Sequence, residues 1–226
     1  MNLYRRDFTI NALAIRLDCE PMGEIVDFFG GQKDIRDRVI RVLHTLSFVE
    51  DPTRCLRAVR FEQRYHFRIG PATEKLIKND VSLKLLDKLS PSRLFNEFEH
   101  ICAEETAILC IRRLHELGIL QAIHPQLSIN PDRKEMLIRT AKVMAWYRLL
   151  YIDEEMRPWL VYFLVLCSSL TYAVTLEVFR RLGIPPALKN EVLGCREKAR
   201  SLRSSLKRLT ATPGFRVSAL CAMLRP

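Results

Sequence analysis

Glycine is scarce in this 226-residue chain, with 8 in all, and there is no low-complexity tract. That argues against disorder and against a loop-dominated fold. No C-x-x-C occurs, the 7 cysteines are scattered, and their number is odd. Zinc fingers and a disulfide framework are therefore unsupported, and reduced, mostly buried thiols in a cytoplasmic protein are the better reading. The 5 histidines form no H-E-x-x-H and no His-Asp dipeptide, which leaves a histidine–metal hydrolase without ligands. No secretory leader is visible. Long apolar runs are also few. The one uncharged stretch of note, 158–176, reads PWLVYFLVLCSSLTYAVTL. Its length alone would suit a membrane span. SSLT interrupts it, however, and Thr171 suits a helix N-cap, so two buried helices joined by a tight turn are expected.

Positive charge is what the chain has in excess. Lys and Arg number 36 against 26 Asp and Glu, for a net charge of +10. Such a balance favours a polyanionic partner, because a basic surface attracts phosphates over a Debye length.

The pattern along the chain predicts a mainly α protein with a small β piece at its start. Residues 8–17, FTINALAIRL, alternate well enough for a strand with Phe8, Ile10, Ala12 and Ala14 on one side. DCEPMG then reads as a turn and EIVDFF as the returning strand. An isolated hairpin is marginal in water, so further sheet, from a missing segment or another chain, is expected to complete it. Beyond Gly30 and Gly31 the signals turn helical. Asp51 and Pro52 open one helix. PATEKLIKND, SPSRLFNEFEHICAEE and ETAILCIRRLHELGIL carry others, the last closed by Gly118. More helices are expected near 132–151, 156–168, 171–182 and 187–206, with Gly183 and the IPP after it as a stop.

The segment 50–68, EDPTRCLRAVRFEQRYHFR, is the most informative. Placed on a helix with Arg54 at zero, Arg57, Arg60 and Arg64 fall at roughly 300°, 240° and 280°. Cys55, Ala58 and Val59 lie opposite, with Leu56 at the border. A solvated amphipathic face is the ordinary explanation. Yet like charges at this spacing repel, and a one-sign arginine stripe without acidic neighbours points to an anion, since guanidinium forks match phosphate oxygens. Asp51, one turn earlier, caps the helix and also sets a carboxylate beside the Arg54 guanidinium. Cytosine and adenine each present an amino donor next to a bare ring nitrogen, which that pair can satisfy. Guanine and uracil present the reverse polarity and would leave groups unpaired.

Four segments then carry a family likeness. RRDFTINALA (5–14), DFFGGQKDI (27–35), EDPTRCLRAVRF (50–61) and SPSRLFNEFEHI (90–101) resemble, in order and spacing, signature motifs of the class II tRNA nucleotidyltransferases and bacterial poly(A) polymerases. LHELGILQAIHPQL looks like part of the family's body region. The resemblance implies a head remnant at 1–29, a helical neck that recognises the nucleotide at 30–105, and a helical tRNA-binding body at 106–226. It implies that Arg6 and Asp7 contact the ribose, with Asn11 supporting that pocket. Asp51 and Arg54 would read the incoming base, and Arg57 and Arg60 would hold the triphosphate. Asp27, Gly30 and Gly31 would form the joint between head and neck, and Arg93 and Glu97 would brace the neck. ATP, and with it CTP, would be the nucleotide substrates, and the tRNA 3′ end the acceptor.

One departure stands beside the match. In the family, a Gly-Ser turn and a D-x-D pair hold two Mg²⁺ ions for nucleotidyl transfer. This sequence has neither, and its D-x-E pairs, Asp18/Glu20 and Asp153/Glu155, fall outside any such context. No metal ligand is therefore assigned, and Mg²⁺ is expected only in a complete enzyme. The chain is expected to be the portion of a template-independent nucleotidyltransferase that recognises its substrates, inactive by itself. A non-catalytic RNA- or nucleotide-binding module and a poly(A) polymerase portion remain the alternatives.

Overall fold

The computed structural model describes residues 3–18, 20, 22–150 and 156–211. Cys19, Cys221 and the Asp153/Glu155 pair lie outside them. The described residues fall in two compact units, Met1–Gly183 and Ile184–Pro226. The fold is mostly helical, as the sequence predicts.

Helix α3 (Thr53–Arg64) shows why this sequence folds as it does. Its Cys55, Leu56, Ala58 and Val59 are fully buried, so the apolar side read from the sequence is the side packed inward. Helices α1 (Gly31–Asp37), α2 (Ser47–Glu50) and α4 (Pro71–Ser82) lie along the chain on either side of it. Helices α5 (Pro91–Ala103) and α6 (Ala107–Glu116) pack against it. A short helix, α7 (Ile119–Ile123), follows α6 after Gly118.

Proline opens five of the described helices, α4, α5, α8 (Pro131–Arg148), α9 (Pro158–Leu166) and α11 (Pro186–Ala211). Its fixed φ suits the first turn and its missing N–H costs nothing there. Asn130 caps α8 by accepting from the Arg133 amide at 2.8 Å. Thr171 caps α10 (Tyr172–Leu182) by accepting from the Val174 amide at 3.3 Å. The uncharged stretch is therefore two helices, α9 and α10, and no helix among the described residues is long and apolar enough to cross a membrane. Phe163 and Phe179 meet between these helices at 5.3 Å, and Trp159 meets Phe95 of α5 edge-on at 5.1 Å. Cys55, Cys102, Cys110, Cys167 and Cys195 are free thiols. The second unit contributes α11 (Pro186–Ala211), whose Lys189, Lys198, Arg200 and Arg203 outnumber Glu191 and Glu197.

The β content corrects the expected strand. Only β1 (Ala14–Ile15) and β2 (Ile25–Val26) pair as the hairpin, antiparallel, with Ala14 opposite Val26. Residues 9–11 form a single 3₁₀ turn instead. The reason is side-chain competition for the backbone. Asn11 Oδ1 accepts from the Phe8 amide at 3.1 Å, the Thr9 amide donates to the Arg41 carbonyl at 2.9 Å, and Thr9 Oγ1 donates to Asp34 at 2.6 Å. A second pair of strands was not expected. β3 (Val39–Ile40) and β4 (Arg68–Ile69) pair in parallel on the two sides of α3 in the sequence. Parallel pairing of two-residue strands across α2 and α3 leaves no alternation to read. Ile15, Leu17, Ile25 and Phe28 of the hairpin region are exposed.

Candidate functional site

The segment from Arg5 to Asp7 lies over the arginine face of α3, and α5 flanks it. Along α3 and α5 the contacts rise together in sequence: Asp51 with Arg93, Arg57 and Arg60 with Glu97, Arg60 and Arg64 with Glu104. The two helices therefore run side by side in the same direction. Their facing sides carry opposite charge.

This overturns one expectation. The stripe is free of acidic neighbours only along its own helix. In space, Arg54 meets Asp7 at 3.4 Å and Glu50 at 3.6 Å. Arg57 donates from Nε to Asp7 at 2.7 Å and meets Glu97 at 3.4 Å. Arg60 stands 3.6 Å from both Glu97 and Glu104, and Arg64 is 3.1 Å from Glu104. Asp7 and Glu97 raise the Arg57 pKa above its ordinary value even though burial works against the charge. With Arg93 and Asp51 included, the arginines and carboxylates of the face balance. Glu50 and Glu104 were not singled out from the sequence. The signal for α5 was available: Arg93, Glu97 and Glu104 fall within roughly 40° of one another at 100° per residue.

Arg6 is exposed, and Asp7 is held by Arg54 and Arg57. Asn11 sits in the 3₁₀ turn, its Oδ1 spent on Phe8. Arg54 is buried, and its Nη1 donates to the Ser47 carbonyl at 3.0 Å and the Ser47 hydroxyl at 2.7 Å. Asp51 accepts from the Thr53 amide at 3.1 Å and the Thr53 hydroxyl at 2.6 Å, and both its oxygens accept from Arg93 Nη2 at 2.8 Å. Burial alone would raise the Asp51 pKa. The Thr53 bonds and the Arg93 charge outweigh it and hold the carboxyl below its ordinary value. Asp51 thus closes α2, one residue ahead of Pro52, which stands at the N-cap of α3 where Asp51 was expected, and Asp51 and Arg54 each have other partners at hand. Among their side chains no hydrogen bond joins the two; the Arg54 amide donates to the Asp51 carbonyl at 3.1 Å.

The buried Nε of Arg54 and that of Arg60 both lack a hydrogen-bond partner. Arg60 differs in that its side chain, 11% exposed, has only carboxylate contacts 3.6 Å long, whereas Arg54 also donates to Ser47. Glu97 Oε2, opposite Arg60, likewise lacks a hydrogen-bond partner. The Phe61 ring lies 5.2 Å from the Arg60 guanidinium and 5.6 Å from that of Arg57.

The Asp27, Gly30 and Gly31 element is a helix start. Asp27 accepts from the amides of Gly31 at 2.8 Å and Gln32 at 3.0 Å, and these backbone bonds outweigh burial to lower its pKa. Gly30 has φ of 74°, where a side chain is strained. A Cβ on Gly31 would stand 2.3 Å from the Thr9 carbonyl oxygen, so no larger residue fits.

Known proteins resemble the chain in the same regions. A family model described as the poly(A) polymerase head domain matches residues 1–41. Another, described as the probable RNA and SrmB-binding site of polymerase A, matches 66–129. An A-adding tRNA nucleotidyltransferase of Geobacter sulfurreducens is 51% identical over 170 residues, 75% of this chain and 19% of that protein. A solved CCA-adding enzyme in complex with ATP superposes with a TM-score of 0.81 at 37% identity, over 93% of this chain and 49% of that one. The Thermotoga maritima CCA-adding enzyme complexed with tRNA gives 0.80 at 37% identity, over 92% and 50%. The chain thus spans about a fifth of that curated relative and about half of each solved chain.

Proposed function

The chain belongs to the family of tRNA nucleotidyltransferases and poly(A) polymerases, and from that premise we propose that it carries the family's substrate-recognising half. The proposal is binding of ATP and CTP for template-independent addition of A, and with it C, to the 3′ end of tRNA. Asp51 and Arg54 read the base, Arg57 and Arg60 hold the triphosphate, and Arg6, Asp7 and Asn11 face the ribose. Arg93 and Glu97 brace the neck, and Asp27, Gly30 and Gly31 join head to neck. The division into 1–29, 30–105 and 106–226 goes with this reading. So does a further strand, from this or another polypeptide, over the exposed hairpin. The free thiols at five described cysteines support a reducing, cytoplasmic setting.

Arg60 is the observation that carries the proposal. A nearly buried guanidinium whose Nε lacks a hydrogen-bond acceptor is costly unless something supplies one. A phosphate oxygen does so with charge assistance. The remaining site residues then work by exchange. A base presenting an amino group takes over acceptor capacity of Asp51 from Arg93. Its ring nitrogen takes a proton donor of Arg54 from Ser47. A base of reverse polarity breaks both contacts and replaces neither.

The carboxylates here do not fit a Mg²⁺ centre. Asp7, Asp51, Glu97 and Glu104 are each tied to guanidinium groups. No cluster of three or more acidic, histidine or cysteine residues suited to a metal occurs among the described residues. The same observation favours the second reading, a module that binds nucleotide or RNA without transfer, a poly(A) polymerase portion being its close relative.

The test is calorimetric titration of the chain with each of the four ribonucleoside triphosphates, followed by tRNA end-labelling. ATP and CTP are expected to bind and GTP and UTP to bind weakly. Arg60→Lys is expected to weaken ATP binding while the fold is kept, and Arg54→Ala with Arg57→Ala and Arg60→Ala to abolish it. Equal binding of all four nucleotides, or full binding by the triple variant, would sink the proposal. The chain alone is expected to add no nucleotide to tRNA; vigorous incorporation would overturn that part.

A further inference from the structure

Helix α3 ends at Arg64, and beyond it the chain makes a tight reversal. His66 takes φ of 54° between two aromatic residues, and the Phe67 amide donates back to the Glu62 carbonyl at 2.9 Å. Tyr65 and Phe67 thereby line the same cleft. With Ile10, Asn11, Ile35 and Phe61 they enclose about 260 Å³. Phe61 and Tyr65 are stacked, centroids 5.7 Å apart and 25° between planes, and Phe67 follows Tyr65 at 5.8 Å. Tyr65 is 47% exposed, so the stack is open at its outer end.

Three arginines adjoin the lining residues along the chain and its paired strands. Arg36 follows Ile35 and Arg68 follows Phe67 in the chain, and the Arg68 amide donates to the Arg38 carbonyl at 2.9 Å. All three side chains are exposed. Among the described residues no carboxylate lies within ion-pair distance of them, in contrast to the balanced arginine face of α3. Asn11 contributes an amide whose oxygen is committed to Phe8, leaving its nitrogen as the donor.

We propose that this cleft is a stacking site for an unpaired base of a single-stranded RNA, with Tyr65 as its platform and Arg36, Arg38 and Arg68 as contacts to the phosphates on either side. An aromatic face beside unpaired guanidinium groups is the chemistry that holds single strands without reading sequence. A base pair in a duplex has no free face to offer, so duplex RNA is excluded from the cleft. The proposal shares with the previous one the premise of an RNA partner and one residue, Asn11, so the test leaves Asn11 unchanged.

The test uses the full chain and a short labelled oligoadenylate, with affinity read by fluorescence anisotropy. Tyr65→Ala is expected to weaken binding about tenfold, and Tyr65→Phe to restore it. Arg68→Glu is expected to weaken it and to flatten its salt dependence. ATP binding should be unchanged in all three, which separates failure here from failure of the nucleotide site. Melting temperatures control for folding. If Tyr65→Ala does not fold, Tyr65→Trp serves: oligoadenylate should quench its added fluorescence over that of the parent, and matched duplex RNA should not. Unchanged affinity in the Tyr65→Ala and Arg68→Glu variants, equal binding of duplex, or no quenching in Tyr65→Trp would overturn the proposal.

Discussion

Helices α3 and α8 each bury an arginine that donates to a serine hydroxyl and to main-chain carbonyls, and they differ in whether carboxylates stand beside it. In α3 the guanidinium groups meet carboxylates drawn from Asp7, Glu50, Glu97 and Glu104. In α8, Arg133 is 5% exposed yet meets only neutral acceptors. Its Nη1 donates to the carbonyls of Gln126 and Ser128, and its Nη2 to the Ser169 hydroxyl. Burial pulls the Arg133 pKa below its ordinary value. A carboxylate ladder can trade one acceptor for a phosphate oxygen of similar chemistry. A cage of carbonyls has nothing equivalent to trade. The first arrangement suits a ligand and the second joins a loop, a helix start and the turn between α9 and α10.

The largest effect is expected on removing the carboxylate shared by two arginines. Glu97→Ala leaves Arg57 and Arg60 short of a counter-charge in a largely buried place, and is expected to cost about 3 kcal/mol of folding stability. Glu97→Gln keeps the shape and a carbonyl acceptor and should cost less. Urea denaturation measures both. A loss near zero for Glu97→Ala would mean that the ladder is solvated and that its charges are not poised.

Arg133→Leu is the matching change in α8. It deletes the buried charge together with its hydrogen bonds, leaving the Gln126 and Ser128 carbonyls to find water. A cost of about 2 kcal/mol is expected, with ATP binding unaltered. If ATP binding fell in step with stability, the division between a ligand-ready ladder and a structural cage would not stand.

Much of this contrast was legible one helix at a time. The arithmetic of 100° per residue places Cys55, Ala58 and Val59 inward and the arginines together, and Thr171 and Gly183 mark α10 because caps are local chemistry. What pairs with the arginines was not legible in the same way, since Asp7 lies 50 residues from Arg57 and Glu97 lies 40. The 8–17 run misled because alternation counts apolar residues and ignores Thr9 and Asn11. Their side chains take backbone and buried partners that a strand would have used. Arg133 carried no signal, because its acceptors are main-chain carbonyls and serine hydroxyls, which every sequence supplies.

The smallest expected effect turns on pH. Asp51 has a folded pKa below its ordinary 3.8, and the unfolded chain has the ordinary value. Its contribution to stability is therefore present above pH 3.8 and is lost as the pH falls through the lower, folded value. Arg93 is 53% exposed, so at neutral pH Asp51→Asn should cost under about 1 kcal/mol from that pair. The clearer readout is the slope: unfolding free energy measured from pH 5 downward should fall less steeply in Asp51→Asn than in the parent. Arg133→Leu, whose cage contains no group that titrates in that range, should keep the parent's acid slope while starting from a lower stability.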